Sequence, residues 1–99
     1  MNITSSQNNG SMELRVEGRL DAISSEKFFE AVCEQASAGQ RDIRVDAAAV
    51  NYISSAGLRA MLQSQRKMTS LGGTFTIVKA SDFVAQTLAM SGLDSLLTK

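Results

Sequence analysis

Residues 51–71 read Asn-Tyr-Ile-Ser-Ser-Ala-Gly-Leu-Arg-Ala-Met-Leu-Gln-Ser-Gln-Arg-Lys-Met-Thr-Ser-Leu, and the fold follows from how this stretch is parsed. Two adjacent serines and a glycine open it. The period then becomes helical: Leu58, Met61, Leu62, Met68 and Leu71 fall on one side, interrupted at Gln65. Arg59, Gln63 and Arg66 fall on the opposite, solvated side. Gly72-Gly73 supplies the stop, because glycine takes the left-handed C′ conformation without a Cβ penalty. The spacing thus predicts a helix whose positive end carries two hydroxyls, Ser54 and Ser55, in a loop that a partner can reach.

Working outward, Met12, Leu14, Val16 and Leu20 alternate with Glu13, Arg15, Glu17 and Arg19, the mark of a half-buried strand with one face open to water. Before it, Asn8-Asn9-Gly10 signals a tight turn, so residues 2–6 are expected to form a short edge strand. Asp21 to Ser25 breaks the strand. Ser24 reads as the N-cap of a first helix, with Ile23 stapled onto Phe28. Phe28, Phe29, Val32, Cys33 and Ala36 continue a buried stripe to Gly39. A short strand is expected over 42–47, and a third, rich in β-branched residues, over 74–80. Ser81 or Asp82 caps a last helix that turns Phe83, Val84, Thr87 and Leu88 inward and stops at Gly92. Leu93 to Lys99 is too short to assign. This order calls for parallel strands joined by right-handed crossovers, plus one antiparallel edge. The expected fold is α/β: a single domain over residues 1–99, with a small mixed sheet of about four strands and helices mainly on one face.

Composition narrows the function. The 99 residues are 43% hydrophobic and 20% charged, ordinary for a globular chain. Ten basic and ten acidic residues give a formal net charge of zero, which offers no electrostatic footprint for nucleic acid or a membrane surface. No apolar run reaches spanning length and Met1–Gly10 lacks a signal-peptide core, so a cytoplasmic location is expected. Cys33 is the single cysteine and reads as a buried structural thiol. With no histidine in the chain, Ser-His-Asp and Cys-His catalysis are ruled out. No metal cluster and no Gly-rich phosphate loop are evident, so neither a cofactor nor catalytic activity is expected.

Gly18-Arg19-Leu20-Asp21, Tyr52-Ile53-Ser54-Ser55-Ala56-Gly57-Leu58, Leu71-Gly72-Gly73 and Met90-Ser91-Gly92-Leu93 together resemble STAS domains. More narrowly, the chain resembles the stand-alone bacterial anti-sigma factor antagonists, in the right order over nearly its whole length. The resemblance implies a partner switch. In that family the unphosphorylated antagonist sequesters an anti-sigma factor that is itself a GHKL-type serine kinase. Phosphorylation releases the kinase, and a PP2C-type phosphatase resets the antagonist. The family motif is Asp-Ser-Ser/Thr-Gly-Leu with the first hydroxyl modified. Aligned on Gly57-Leu58, Ser55 takes the phosphorylated position, Ser54 stands for the aspartate and Ala56 for the second hydroxyl residue. That departure removes a negative charge beside the site. The partner surface implied comprises Asp21, Ser54, Ser55, Ala56, Gly57, Arg59 and Gln63.

Each of these residues also has a plainer role. Serine is a preferred N-cap, so Ser54 reads as the cap or loop-shaper beside a modifiable Ser55. Gly57 reads as a packing position that lets another backbone come close. Arg59, Gln63 and Arg66 suit a solvated helix face as well as an interface. Asp21 either caps the backbone near Ser24 or lies on the partner edge. Met61, Met68 and Met90 read as core. A second class of function stays open: a constitutive STAS scaffold, or a small-ligand-binding subunit of a transport complex.

Overall fold

Asn9 and Gly10 reverse the chain with φ of 50° and 86°, the paired positive values of a two-residue type I′ hairpin. They join strand β1 (Asn2–Asn8) to β2 (Ser11–Leu20), with Asn8 opposite Ser11 and Ile3 opposite Val16. The edge strand expected from that turn is present and runs two residues longer than the sequence suggested. The computed structural model describes residues 1–97.

Helix α1 (Ala22–Ser37) leads to β3 (Asp42–Ile53), helix α2 (Ser55–Ser70) to β4 (Thr74–Ala80), and α3 (Asp82–Met90) closes the series. The four strands lie in sequence order, β1 antiparallel to β2 and the other pairs parallel. Two apolar rows cross the parallel strands on one face: Met12–Ile43–Phe75 and Leu14–Val45–Ile77. Phe28 and Val32 of α1, Met61 and Met68 of α2, and Val84 and Leu88 of α3 join these rows in one buried core. Phe28 meets Phe75 edge-on at 6.2 Å between centroids, a favoured aromatic geometry. The opposite face is open, as the strand pattern predicts: Arg15 is exposed, Glu13 and Glu17 are half-exposed, and Arg15 pairs with Glu17 at 3.4 Å.

Several local expectations are corrected. Helix α1 starts at Ala22 and its N-cap is Asp21; Ser24 is the N3 residue of the capping box. Ile23 is therefore inside the helix, 74% exposed, and forms no staple with Phe28. Strand β3 runs six residues past Ala47, because β2 needs a partner as far as Leu20–Ile53. The buried stripe of α2 is Gly57, Ala60, Met61, Ser64 and Met68, so Leu62 lies at its flank and Leu71 is exposed. Ser64 tolerates burial by donating to the Ala60 carbonyl at 2.7 Å. In α3, Phe83 is 43% and Met90 81% exposed, so neither is core. Cys33 is only half-buried. Of the unassigned tail, Asp94–Leu96 forms a 3-10 turn that buries Leu96, and Leu97 bridges to Ile77. Thr98 and Lys99 lie outside the described residues.

Candidate functional site at the carboxyl edge of the sheet

Parallel pairing places the ends of β2 and β3 together, Leu20 beside Ile53. Each strand is followed within two residues by a helix start, so the N-termini of α1 and α2 open on the same edge. The Leu20 carbonyl joins them. It accepts the Ser54 N–H at 2.9 Å and the Ser54 hydroxyl at 3.1 Å. Ser54 Oγ in turn accepts the Gly57 N–H at 3.1 Å, which makes Ser54 the N-cap of α2.

Gly57 completes the junction. A Cβ at this position would lie 2.8 Å from the Leu20 carbonyl oxygen and 2.9 Å from Ile53 Cγ2. The packing role expected for this glycine is thus visible as a backbone contact between the first turn of α2 and the end of β2.

Asp21 organises the other helix start. Its carboxylate accepts the Ser24 N–H at 3.0 Å, and its own N–H donates to Ser24 Oγ at 2.9 Å. The Ser24 hydroxyl lies 2.8 Å from both Asp21 Oδ1 and the Arg19 carbonyl. The Ser24 N–H, and after it the Ser24 hydroxyl, hold the Asp21 carboxyl below the ordinary carboxylate range.

The seven site residues therefore divide. Asp21, Ser54 and Gly57 converge on the β2–α1–α2 junction and build it. Ser55, the first residue of α2, is exposed and takes no part in the cap. Its neighbouring N–H groups in the first turn have no intrahelical acceptor. Ala56, Arg59 and Gln63 line the α2 side of a groove against α1. The structure thus separates the residue that secures the loop from the residue that is presented.

Sequence reading missed the aromatic flank of this edge. The Arg19 guanidinium carbon sits 4.2 Å from the Tyr52 ring centroid, a cation–π contact. Tyr52 meets Phe83 at 6.3 Å between ring centroids. The available signal was the alternation itself, which puts Arg19 and Tyr52 on the face opposite Leu20 and Ile53. Pairing them required the β2–β3 register.

A mixed four-stranded sheet with helix starts gathered on its carboxyl edge, and with its polar residues displayed there, defines a small α/β domain built around a surface. The chain belongs to the STAS domain family: the family described as Mlab, STAS domain matches residues 3–98. Among individual proteins it is similar to the putative anti-sigma factor antagonist BtrV of Bordetella bronchiseptica, 24% identical over 97% of this chain and 83% of that protein. Its fold matches the unphosphorylated anti-sigma factor antagonist SpoIIAA with a TM-score of 0.84 at 17% identity, covering 98% of this chain and 86% of that one. The phosphorylated form of SpoIIAA, a Bacillus cell fate determinant, matches at 0.76 and 16% identity, covering 98% and 89%. A putative anti-sigma factor antagonist from Thermotoga maritima matches at 0.87 and 20% identity, covering 97% and 83%.

Proposed function

We propose that this chain is the antagonist in a partner switch. Its unphosphorylated form binds and sequesters an anti-sigma-factor-like serine kinase of the GHKL type. Phosphorylation at Ser55 releases that kinase, and a PP2C-type phosphatase restores the binding form. The observation that carries this reading is the division between the two serines. Ser54 is committed to the cap, whereas Ser55 offers an exposed hydroxyl at the positive end of α2. A phosphoryl group there brings about −1.5 to −2 charges to a helix terminus that favours anions, so the domain tolerates it. The cost falls on the complex, which must desolvate that charge against a surface shaped for a hydroxyl.

The similarity of this fold to SpoIIAA in both its unphosphorylated and phosphorylated forms supports the reading. The chain acts as a binding module in the cytoplasm and has no catalysis of its own. Among the described residues there is no group of three or more potential metal ligands, and no helix is long and apolar enough to cross a membrane.

Calorimetry with the kinase that phosphorylates Ser55 tests the switch. A penalty of ~2–3 kcal/mol on the modified form corresponds to binding weakened about 30- to 150-fold. Equal affinity for wild type, Ser55→Asp and the phosphorylated chain would end the proposal. Mass spectrometry of protein from native cells that always finds Ser55 unmodified would favour a constitutive scaffold instead.

A further inference from the structure

Between α1 and α2 runs an open groove of about 470 Å³. Its floor is small, formed by Ala56, Ala60 and buried Ser25, whose hydroxyl donates to the Asp21 carbonyl, with the half-buried ring of Phe29. Its rims carry different charge. On α1, Glu26 and Glu30 stand one turn apart and exposed; on α2, exposed Arg59 stands one turn before Gln63. Opposite charges facing across a cleft can close it by pairing. Among the described residues the ion pairs are Arg15–Glu17 and Arg44–Asp42, both on the open face of the sheet. Neither rim is neutralised by the other.

The small residues of this floor allow a second backbone to approach closely, and an amphipathic helix laid in a groove is a common way to fill such a space. The unpaired rims specify its flanks. We propose that this groove docks an amphipathic helix of the partner that acts on Ser55. Its basic flank lies against Glu26 and Glu30, and its acidic flank against Arg59. The inference rests on the phosphoacceptor reading of Ser55 and adds a place and a chemistry for that partner. It also explains how modification is felt. Ser55 precedes Ala56 of the floor and lies one turn before Arg59, the i,i+4 spacing at which side chains meet. A phosphoryl group on Ser55 competes with the partner's acidic flank for Arg59.

The test uses the isotope-labelled full chain and a helix-stabilised synthetic peptide of about 15 residues. The peptide has an alanine and leucine edge, lysines on one flank and glutamates on the other. A control of identical composition mixes the charges on both flanks. The designed peptide should shift the amide resonances of Phe29, Ala56 and Ala60, and the control should bind at least about tenfold more weakly. Combining Glu26→Lys with Glu30→Lys should weaken the designed peptide about tenfold and favour a peptide with glutamates on both flanks. Ser55→Asp should weaken the designed peptide in the wild-type background and lose most of that effect beside Arg59→Gln. Equal binding of design and control, indifference to the charge reversal, or shifts confined to the Arg15 and Thr76 face would overturn the inference. The peptide assay needs no kinase, so the two readings fail separately. A silent groove with Ser55 phosphorylated in cells overturns the groove alone. A binding groove with Ser55 always unmodified refutes the switch, and with it the partner assigned to the groove.

Discussion

The Leu20 carbonyl oxygen would stand only 2.8 Å from a Cβ on Gly57, so the first turn of α2 and the end of β2 touch through backbone. Two effects of Gly57→Ala oppose each other. Alanine is the better helix former by about 1 kcal/mol. Against that, the new methyl meets a fixed carbonyl and the Ile53 side chain, and overpacking of this kind typically costs about 1–3 kcal/mol. The clash should win. Chemical denaturation should show net destabilisation, and a more stable variant would mean that the contact is looser than it looks.

Ser54 and Ser55 should respond differently to removal of the hydroxyl. Ser54→Ala deletes the cap and should cost about 0.5–2 kcal/mol in the same assay. Ser55→Ala removes an exposed group outside the cap and should stay within about 0.5 kcal/mol of wild type. Ser55→Asp places a negative charge at the helix start and should gain about 0.3–1 kcal/mol. Phosphorylation should persist in Ser54→Ala and vanish in Ser55→Ala. Similar losses of stability for the two alanine variants would contradict the division between them.

Met61 and Leu62 are neighbours with different surroundings. Met61 is fully buried, and Met61→Ala should cost about 2–5 kcal/mol as a large-to-small core change. Leu62 is half-buried at the flank of the stripe, so Leu62→Ala should cost about 1 kcal/mol. A reversed order would place the α2 stripe one residue further along.

Asp21 gives the fold a pH dependence of known sign. Its carboxyl is held below the unfolded value of about 3.9, so its contribution is present above that pH and fades as pH falls through the folded pKa. Asp21→Asn still presents a side-chain oxygen to the Ser24 N–H but no longer titrates. Stability followed below about pH 4 should therefore fall less steeply in Asp21→Asn than in wild type. Parallel acid limbs for the two proteins would remove Asp21 from this account.

Elements with strong local preference were legible in the sequence. Strand β4 was readable to its boundaries because Thr74 to Val78 is rich in β-branched residues. The Asn9-Gly10 turn announced its hairpin, and Gly72 ends α2 at a φ of 76°. The second half of β3 was not legible, since Ala47-Ala48-Ala49 has little strand preference and is held by its pairing with β2. The α2 register was blurred by Ser64, a polar residue buried through a local hydrogen bond that hydrophobic periodicity does not detect. At the first helix, Asp21 and Ser24 are both good caps three residues apart, and the reciprocal bonding between them sets the start at Ala22. Met90 misled because large apolar side chains do stand singly on surfaces. The groove belongs to two helices at once and has no single stretch of sequence to announce it.

The anchoring of Ser54 to Leu20 also bears on timing. A group attached to Ser55 would sit on a helix start already held in place by its neighbour, so no segment has to refold before the change can be read. The protein would behave as a label and not as a lever. Its message would be complete when the covalent bond forms and gone when that bond is cleaved. The tempo of the response would then belong to the enzymes that write and erase the mark, and mutations that merely stabilise the domain should leave that tempo unchanged.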